Sequence, residues 1–391
     1  MRIVHLIEYF APKLGYQETY LAREQAKLGH DVAVLTSDRY FPFPDYEETI
    51  QPMLGNRIVG SGEFMEEGIK VIRLPVLFEL FTRAWLNELL NTLKELNPEI
   101  IHIHSTSSFS TIRLTILRKQ FPNTKILVDD HSHESVMINS WTKKLFYWTF
   151  QFLFGKQISQ NIDTFVAITP ETRELVKKYM GIVKPIHVIE LGVDTDLFTF
   201  LKVEREKVRE RLRVKDSEIL ITYTGKVIQE KGVDVLVQAF LKNSNKNSRL
   251  LIIGNGPKGF VNQLKENIAQ SSLSDRVIWV PMLSPKELPA YYSASDIGVW
   301  PKQESISMIE AMACNLPIII KKSNSMKERI KLGNGLSYHE GNTNDLAKKI
   351  QELVKDKRKR TQMGKLGRNL AEQYSWEQIA KKFISLYKRE S

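Results

Sequence analysis

The chain has 391 residues and a formal net charge of +11, with 42% hydrophobic and 26% charged residues. This length exceeds one ordinary hydrophobic core, so two domains are expected, and the composition is that of a globular protein. The single cysteine, Cys314, excludes an internal disulfide framework and fits a reducing compartment. The positive charge favours an anionic partner: a nucleotide, a nucleic acid or an acidic membrane face.

The sequence contains no run of about 18 or more apolar residues, so it predicts no transmembrane helix. The first segment, Met1–Phe10, is typical of a β-strand, since it lacks the long apolar region and the small-residue cleavage site of a signal peptide. We therefore expect a cytoplasmic protein.

In the first half of the chain, short apolar runs alternate with helical segments. Strands are predicted at Ile3–Ile7, Val32–Thr36, Val71–Leu74, Ile100–Ile103, Lys125–Val128, Thr164–Ile168 and Ile186–Ile189. Helices are predicted at Gln17–Leu28, Arg83–Leu96, Ser110–Gln120, Ser135–Gln160 and Glu171–Tyr179. The long segment Asp38–Gly62 is irregular and is a candidate functional loop. This alternation predicts a parallel sheet covered on both faces.

The second half repeats this layout after a break at Leu191–Phe200, which marks a domain boundary. A charged helix is predicted at Val203–Leu212. Strands follow at Ile219–Thr224, Leu250–Ile253, Val277–Val280, Ile297–Trp300 and Ile318–Ile320. The other helices are predicted at Val233–Leu241, Phe260–Gln270, Pro285–Ala294, Ser307–Ala313, Asp345–Val354, Lys357–Gln373 and Trp376–Arg389. Two α/β halves of this kind place the natural ligand site in the cleft between them.

The loop after the predicted strand Ile219–Thr224 carries two lysines. In the segment YTGKVIQEKG, Gly225 and Lys226 follow the strand, and Lys231 precedes the next helix. Two lysines beside a helix N-terminus would suit a diphosphate, which they would meet as point charges. A glycine turn with solvated lysines explains this short motif equally well. The next strand ends in LIIGNGP, which by itself indicates only a tight turn.

The loop before the predicted helix Ser307–Ala313 has two interpretations. It follows a strand, and open α/β sheets bind ligands there, where free backbone N–H groups favour phosphate. In the functional interpretation, the carboxylate of Glu310 accepts hydrogen bonds from ribose hydroxyls. In the structural one, Ser307 and Glu310 form the S-x-x-E capping box of their own helix. The sequence leaves both open.

The predicted strand Lys125–Val128 leads into VDDHSHE, a cluster of acids and histidines. Asp129, Asp130, His131 and His133 are too closely spaced to resemble a zinc site, and no second cluster completes one. We therefore expect a polar loop without a metal. In the alternative, His131 faces a phosphate or a sugar hydroxyl.

The segment Trp141–Phe154, WTKKLFYWTFQFLF, is dense in aromatic residues and contains two lysines. A helix of this composition can lie on a membrane surface. Such a stripe is more often packed into a protein core, and we favour the core interpretation.

Taken together, these segments resemble the retaining family 4 glycosyltransferases of the GT-B fold, also described as glycosyl transferases group 1. In the first half, the resemblance rests on IVHLIEYFAPKLGYQETYLAREQAKLGHDVAVLTS, IIHIHS, VAITPETRELV and IELGVDTDLF. In the second half, it rests on YTGKVIQEKGVDVLVQAF, LIIGNGP and ESISMIEAMACNLPIII.

The resemblance implies an α/β fold of the GT-B type, with two Rossmann-like domains whose parallel sheets face each other across a cleft. Residues 1–192 would form an N-terminal acceptor domain, and residues 193–373 a C-terminal nucleotide-sugar donor domain. Residues 374–391 would form a C-terminal helix that crosses back to the N-terminal domain, where Trp376 would pack at the junction.

The resemblance also implies roles for individual residues. Lys226 and Lys231 would neutralise the diphosphate, Glu310 would bind the ribose, and His131 would lie at the reacting sugar. The other residues implied at the donor are Gly15, which would let the first loop approach it, and Gly225, Glu304, Ser305, Ile306 and Ser307. Such enzymes commonly act without a bound metal, and we expect no cofactor.

The sequence departs from the family pattern at three places. The family often has a glutamate eight positions before Glu310, where it touches the sugar, but this chain has Lys302 there and its nearest carboxylate is Glu304. The glycine-rich segment that follows in the family is Ser305-Ile306-Ser307 here. The paired glycines that are usual in the first loop are replaced by Gly15 and Tyr16.

The resemblance implies a retaining hexosyltransferase that moves a sugar from a UDP- or GDP-linked donor to a glycan or lipid-linked acceptor in surface glycan assembly. The charge and the aromatic segment favour an anionic membrane surface as a further partner, at the inner face of the cell membrane. We expect no nucleic-acid partner, since no recognised reading module is present. Two alternatives remain: a non-hydrolysing nucleotide-sugar epimerase, and a non-catalytic subunit that binds a nucleotide sugar.

Overall fold

The structure is a computed structural model that describes residues 1–132, 140–242, 247–302 and 304–389. The chain divides into two compact units. Unit 1 comprises Met1–Leu191 and the segment that begins at Trp376, and unit 2 comprises Gly192–Ser375. Each unit is built on its own sheet of parallel strands that alternate with helices, so the predicted α/β fold class is confirmed.

The strands of unit 1 are β1 (Arg2–Leu6), β2 (Asp31–Ser37), β3 (Gly62–Glu66), β4 (Ile69–Leu74), β5 (Val76–Leu80), β6 (Arg83–Leu86), β7 (Ile100–His104), β8 (Lys125–Asp130), β9 (Thr164–Ala167) and β10 (Ile186–Val188). Its helices before residue 191 are α1 (Gln17–Lys27), α2 (Tyr46–Thr49), α3 (Gln51–Leu54), α4 (Leu89–Leu96), α5 (Phe109–Ile116), α6 (Trp141–Phe150), α7 (Lys156–Asn161) and α8 (Pro170–Met180). A π-helical turn, Gln151–Gly155, joins α6 to α7.

The strands of unit 2 are β11 (Ile219–Thr224), β12 (Ser248–Ile253), β13 (Val277–Val280), β14 (Ile297–Trp300), β15 (Ile318–Lys321) and β16 (Gly335–Tyr338). Its helices are α9 (Lys202–Arg211), α10 (Val233–Leu241), α11 (Lys258–Ala269), α12 (Leu288–Ala294), α13 (Ile306–Ala313), α14 (Asn324–Lys327), α15 (Thr343–Lys355) and α16 (Lys357–Gln373). The final helix, α17 (Trp376–Lys388), belongs to unit 1.

The order of strands reverses once in each sheet. The sheet of unit 1 runs β10-β9-β8-β7-β1-β2-β4-β3, with only β3 antiparallel to its neighbour, and that of unit 2 runs β13-β12-β11-β14-β15-β16. The reversals therefore fall between β1 and β7 and between β11 and β14. Ligands of open α/β sheets bind beyond the carboxyl ends of the strands at such points. The loops that follow these four strands are the places where functional side chains are expected.

Aliphatic side chains fill many positions of the inner strands because both faces of each sheet are covered. Ile101 and Ile103 of β7 are almost fully buried, as are Ile318, Ile319 and Ile320 of β15. In β15 the isoleucines form one continuous run, whereas in β7 they alternate with His102 and His104.

The structure differs from the predicted elements between Val76 and Leu96. Arg83–Leu86 was expected to begin a helix, but it pairs with β5 as a hairpin, and α4 begins only at Leu89. The stacked rings of Phe78 and Trp85, whose centroids lie 5.5 Å apart, support this pairing across the hairpin. The helical prediction for Arg83–Leu86 was therefore wrong.

The segment 38–62, expected to be irregular, contains the short helices α2 and α3, and Pro52 stands in the first turn of α3, where a proline costs no hydrogen bond. Within the helical region expected from Ser135, α6 starts at Trp141, and the Ser140 hydroxyl caps it by accepting a hydrogen bond from the backbone N–H of Lys143. Residues 135–139 of that prediction lie outside the described residues. Among the described residues, no helix is both long and apolar enough to cross a bilayer.

The last helix is an integral part of unit 1. The Trp376 ring stacks on that of Tyr20 in α1, with centroids 5.4 Å apart and planes within 7°. Further along α17, Phe383 is fully buried and packs against His102 of β7, with ring centroids 5.0 Å apart. The helix therefore covers the side of the sheet on which α1 also lies.

We predict that Trp376→Ala lowers the free energy of unfolding by about 3–5 kcal/mol, because it removes a buried aromatic ring and leaves a cavity. Urea denaturation followed by circular dichroism measures this change. The matched control is Trp141→Ala, which alters an exposed ring and should change the free energy of unfolding by less than about 0.5 kcal/mol. Equal effects of the two substitutions would contradict the packing described here.

Candidate functional site

In unit 2, the loops after β11 and β14 lie side by side at the reversal of the sheet. The indole N–H of Trp300, the last residue of β14, donates to the backbone oxygen of Thr224, the last residue of β11, over 3.0 Å. Beyond β11, the Tyr223 hydroxyl donates to the Lys226 backbone oxygen over 2.7 Å and folds the loop back over the strand. Gly225 and Lys226 are therefore held at the carboxyl edge, where the sequence placed them.

The GNG turn after β12 packs against this loop and requires its glycines. A Cβ atom at Gly254 would lie 1.9 Å from the Gly225 backbone oxygen, and one at Gly256 would lie equally close, at 1.9 Å, to the Val227 oxygen. Gly254 also has a φ of +147°, which other residues rarely adopt. This turn positions the lysine loop, and the Asn255 side chain within it accepts a hydrogen bond from the backbone N–H of Met282.

Lys231 is held close to a second positive charge. It ends the short helical turn Gln229–Lys231 that precedes α10, and its Nζ lies 3.5 Å from the backbone oxygen of Glu304. Burial, with the nearby charge of Lys226 as a second cause, lowers the pKa of Lys231 to about 8. Because the two ammonium groups destabilise each other, an anion bound near both would be stabilised.

The loop between β14 and α13 is fixed by polar contacts at both ends. The Lys302 ammonium donates to the Gln229 backbone oxygen over 3.0 Å. The carboxylate of Glu304 forms an ion pair of 2.6 Å with the buried guanidinium of Arg329. Glu304, which the resemblance placed at the donor, is thus engaged with Arg329.

Helix α13 begins with Ser305, not with the predicted capping box. The Ser305 hydroxyl accepts a hydrogen bond from the backbone N–H of Ser307 at 3.4 Å, so Ile306 and Ser307 occupy the first two helical positions. Glu310 then lies in the second turn, too far along the helix to cap it. The capping-box interpretation of Ser307 and Glu310 is therefore wrong.

Glu310 is a buried carboxyl group with capacity for further hydrogen bonds. The Tyr292 hydroxyl approaches its Oε2 at a long 3.4 Å. Burial raises the pKa of Glu310 to about 8. A carboxylate offers about four acceptor positions, so this group can accept two hydroxyl donors of a ligand, which would also stabilise its ionised form.

In unit 1, the first loop turns at Gly15. The residue has a φ of 67° and ends the short helical turn Pro12–Leu14, so α1 begins directly after Tyr16. Glu18 in the first turn of α1 is buried, which raises the pKa of its carboxyl group. The loop therefore brings a buried acid to the carboxyl edge of the sheet beside β1.

Strand register brings a set of histidines and one aspartate to a single face of this sheet. His5 of β1 lies opposite His102 of β7, and His104 lies opposite Asp129 of β8. Since residues two apart on a strand share a face, all four side chains point to the same side. The ring centroids of His102 and His104 are 4.4 Å apart, and His131 approaches the Asp129 carboxylate to 3.3 Å.

This arrangement corrects the expectation that no second cluster completes VDDHSHE. The missing histidines come from IVHL and IIHIHS, which are distant in the sequence, and their i, i+2 spacing in β7 was the signal that could have revealed them. The Asp130 carboxylate instead accepts hydrogen bonds from the backbone N–H groups of Thr106 and Ser132. His133 lies outside the described residues.

Hydrogen bonds link the cluster to both helices that cover it. Gln25 of α1 bonds His5 Nε2 at 2.8 Å and the Tyr387 hydroxyl of α17 at 3.0 Å. Tyr387 in turn bonds His102 Nδ1 at 2.8 Å. His5 Nδ1 bonds His104 Nε2 at 2.9 Å, and Gln17 donates to the Asp129 carboxylate at 2.8 Å.

The histidines of this cluster differ in their charge state. Burial lowers the pKa of His102 to about 4 and that of His5 well below its usual value, so both are neutral. Desolvation also acts to lower the pKa of His131, but the Asp129 charge and hydrogen bond outweigh it and raise that pKa to about 9. His131 is therefore an imidazolium at neutral pH, held by Asp129 at the end of the network.

The same side chains include residue types that bind metals. Ligand atoms of His104, Asp129 and His131 all lie within 4.8 Å of one another. Asp129 Oδ2 is hydrogen-bonded to Gln17 and to His131. Its Oδ1 lies 3.0 Å from His104 Nδ1, and neither of these two atoms has a hydrogen-bond partner among the described residues.

A cavity of about 380 Å³ opens at the carboxyl ends of β1 and β7. Its lining is aromatic and ionisable, and includes Glu8, Tyr9, Tyr16, Glu18, Phe41, Phe43, Arg83 and His104. Glu8 accepts hydrogen bonds from the backbone N–H groups of Ala84 and Ser110, and burial raises its pKa to about 7. A pocket that combines aromatic faces with buried carboxylates suits a ligand with hydroxyl groups and apolar ring faces. Glu8, Glu18 and this pocket were not predicted from the sequence.

Comparison with known proteins matches a glycosyltransferase family model to each half of the chain. The family model described as Glycosyltransferase Family 4 matches residues 19–197, and the model described as Glycosyl transferases group 1 matches residues 204–370. A D-inositol 3-phosphate glycosyltransferase of Corynebacterium aurimucosum is 29% identical over 245 residues, which are 59% of this chain and 58% of that protein. The chain thus matches less than two thirds of the length of this relative.

Solved structures share the fold along the whole chain. Sucrose-phosphate synthase from Thermosynechococcus elongatus superposes with a TM-score of 0.74 at 20% identity, covering 99% of this chain and 98% of that one. HepE of Anabaena, in complex with UDP, superposes with a TM-score of 0.75 at 16% identity, covering 99% of both chains. At this identity the likeness concerns the fold.

We predict that Asp129→Asn lowers the pKa of His131 by at least about one unit, because it removes the negative charge that stabilises the imidazolium. A histidine side-chain NMR titration measures this. Asp31→Asn, at the exposed start of β2, is the control and should leave the His131 titration unchanged. An unaltered His131 pKa in Asp129→Asn would contradict the assigned network.

Proposed function

The chain belongs to the group 1 and family 4 glycosyltransferases of the GT-B fold, and from this premise we propose that it transfers a sugar from a nucleoside diphosphate sugar to an acceptor hydroxyl. We propose a UDP- or GDP-linked donor, a glycan or lipid-linked acceptor in surface glycan assembly, and retention of configuration at the anomeric carbon. The observation that carries the proposal is the grouping of Lys226, Lys231 and Glu310 at the strand reversal of unit 2.

Donor binding would stabilise the ionised forms of side chains that burial or a like charge disfavours in the free protein. The donor diphosphate would meet Lys226 and Lys231, whose mutual repulsion it relieves, and the start of α13 at Ile306 and Ser307. The Ser307 N–H would exchange its long bond to the Ser305 hydroxyl for one to a phosphate oxygen. The ribose hydroxyls of the donor would donate to the buried carboxylate of Glu310. The UDP and UDP-glucose complexes of HepE, a protein of similar fold, support a uridine nucleotide as the first donor to test.

We propose a front-face reaction in which the acceptor oxygen bonds to the anomeric carbon as the bond from that carbon to the diphosphate breaks. The leaving phosphate oxygen takes the acceptor proton, so no protein nucleophile is required. Lys226 and Lys231 stabilise the negative charge that develops on the diphosphate. The His131 imidazolium, held by Asp129, would act at the reacting sugar, and Gly15 would allow the first loop to approach the donor.

We propose that the cavity of unit 1 binds the acceptor. The ring of Tyr9 meets Phe41 edge to face with centroids 5.4 Å apart, and Phe43 meets Phe41 at 5.0 Å, which gives apolar surfaces suited to a sugar ring. The Glu8 carboxylate, with two backbone donors already bound, retains acceptor positions for a hydroxyl group.

The proposal is tested first by thermal shift with UDP, GDP, ADP and their common sugars, since a ligand of the folded state raises Tm. In an activity assay with the donor, we expect nucleoside diphosphate to be released only when an acceptor is present. An epimerised nucleotide sugar formed without acceptor would replace the proposal by an epimerase. Donor binding without turnover across an acceptor panel would replace it by a non-catalytic subunit.

We predict that Lys231→Ala lowers kcat/KM by about 10- to 100-fold and weakens nucleoside diphosphate binding in parallel, because a charge-assisted hydrogen bond contributes about 1.5–3 kcal/mol. Steady-state kinetics and calorimetry measure the two effects. Lys207→Ala, on the exposed face of α9, is the matched control and should leave both unchanged. Full activity of Lys231→Ala would overturn the role of this lysine.

We predict that the affinity for UDP is highest near pH 8. Below this pH, Glu310 must lose a proton to accept from the ribose, so affinity rises with pH up to the pKa of about 8. Above it, Lys231 loses the proton that attracts the diphosphate, so affinity falls as pH rises through its own pKa of about 8. Calorimetric titrations across this range should show the rise on the acid side disappear in Glu310→Gln, and a rise that persists would contradict the ribose contact.

A further inference from the structure

One face of α6 exposes large apolar side chains along its whole length. Trp141, Leu145, Trp148 and Phe152 follow one another at helical spacing and are 75%, 51%, 65% and 77% exposed. The rings of Trp148 and Phe152 stack with centroids 6.0 Å apart. This face contradicts the expectation that the aromatic segment 141–154 is packed into the core.

The core interpretation applies only to the opposite face of the same helix. Tyr147 and Phe150 are buried in the core of unit 1, and Phe154 packs against it. The segment therefore carries two apolar stripes, one buried and one turned to solvent. The packing of unit 1 does not account for the second stripe.

The tip of the β5–β6 hairpin adds another exposed ring beside α6. Phe81 at this tip is 68% exposed, and its ring lies 5.7 Å from that of Phe146 in α6. We call Phe81, Trp141, Leu145, Trp148 and Phe152 the aromatic surface. Several large apolar side chains exposed in one region mark an interaction site.

The charged residues of the segment that carries the exposed stripe are of one sign. Residues 135–162 contain no aspartate or glutamate, while Lys143, Lys144 and Lys156 are exposed on α6 and at the start of α7. Two copies that met through this surface in a symmetric dimer would bring these lysines together. An anionic lipid surface instead complements both parts, since aromatic rings enter the headgroup region and lysines attract acidic headgroups.

We propose that the aromatic surface docks unit 1 on a membrane that contains anionic phospholipid. Trp148, Phe152 and Phe81 insert at the headgroup level, and Lys143, Lys144 and Lys156 contact the acidic headgroups. The helix lies in the plane of the interface, as expected for a segment with a lipid-facing stripe and a protein-facing stripe.

The hairpin tip connects this surface to the unit 1 cavity. Thr82 and Arg83, which follow Phe81, line the cavity, and the Arg83 guanidinium lies 4.7 Å from the centre of the Phe146 ring in α6. Docking therefore brings the cavity mouth to the bilayer. Docking also favours a lipid-linked acceptor whose headgroup enters the cavity while its chain stays in the membrane. This inference about the acceptor rests on the proposed function.

The test is flotation of the full chain with vesicles of phosphatidylcholine, alone or mixed with phosphatidylglycerol, at low and high salt and without any nucleotide. We expect binding to the mixed vesicles that weakens with salt. Trp148→Ser combined with Phe152→Ser should lower the partition coefficient at least about tenfold, because the apolar anchor is lost. Val183→Ser, which alters an exposed apolar residue elsewhere in unit 1, is the control and should bind as the parent chain does.

Three results would overturn the docking proposal: no flotation at low salt, unchanged flotation of the double variant, or a parent chain that forms a dimer which the double variant does not. Because these exposed residues are outside the core, the variant should fold, and its unchanged Tm verifies this. The thermal shift with UDP is measured on the same samples. Loss of vesicle binding with an intact UDP shift refutes docking alone, while vesicle binding without any nucleotide shift refutes the proposed function alone.

Discussion

The buried carboxylate of Asp129 is the constraint on which the assembly of unit 1 depends. A charge in this interior without partners would cost several kcal/mol, so polar side chains must reach the end of β8. They come from different elements: Gln17 of α1 and His131 of the loop that follows β8 are hydrogen-bonded to Asp129, and His104 of β7 lies 3.0 Å from it. The final helix joins the same network through Tyr387, which explains why a segment so distant in the sequence belongs to this unit.

Unit 2 presents the opposite situation, since the ionised forms of Lys231 and Glu310 are poorly stabilised. Burial and the nearby charge of Lys226 lower the pKa of Lys231, and burial raises the pKa of Glu310. Perturbed titration of this kind clusters where proteins bind charged ligands. The glycine turn after β12 and the contact between Trp300 and Thr224 keep the two loops in place. The loops therefore hold Lys231 and Glu310 where their ionised forms are disfavoured.

The position at which the chain departs from its family has a structural role here. The Lys302 side chain covers Gly232, where a Cβ atom would lie 2.8 Å from Lys302 Cγ, and its ammonium holds the Gln229 backbone. Glu304 is neutralised by Arg329 and so stabilises the loop before α13. The loop is therefore shaped by its own ion pair, and we expect sugar selectivity to arise from the shape of this loop and not from a carboxylate at position 302.

The sequence by itself determined the α/β alternation, most strand positions and the lysines at the end of β11, because aliphatic runs, glycines and strand-to-helix turns are local signals. Only the tertiary structure decided three other features. The histidine network depends on the register of β1, β7 and β8, which aligns residues far apart in the chain. Glu310 is freed from capping because Ser305 starts its helix. The aromatic segment has two apolar stripes that the sequence cannot distinguish, and the neighbours of α6 determine that one is buried and the other faces solvent.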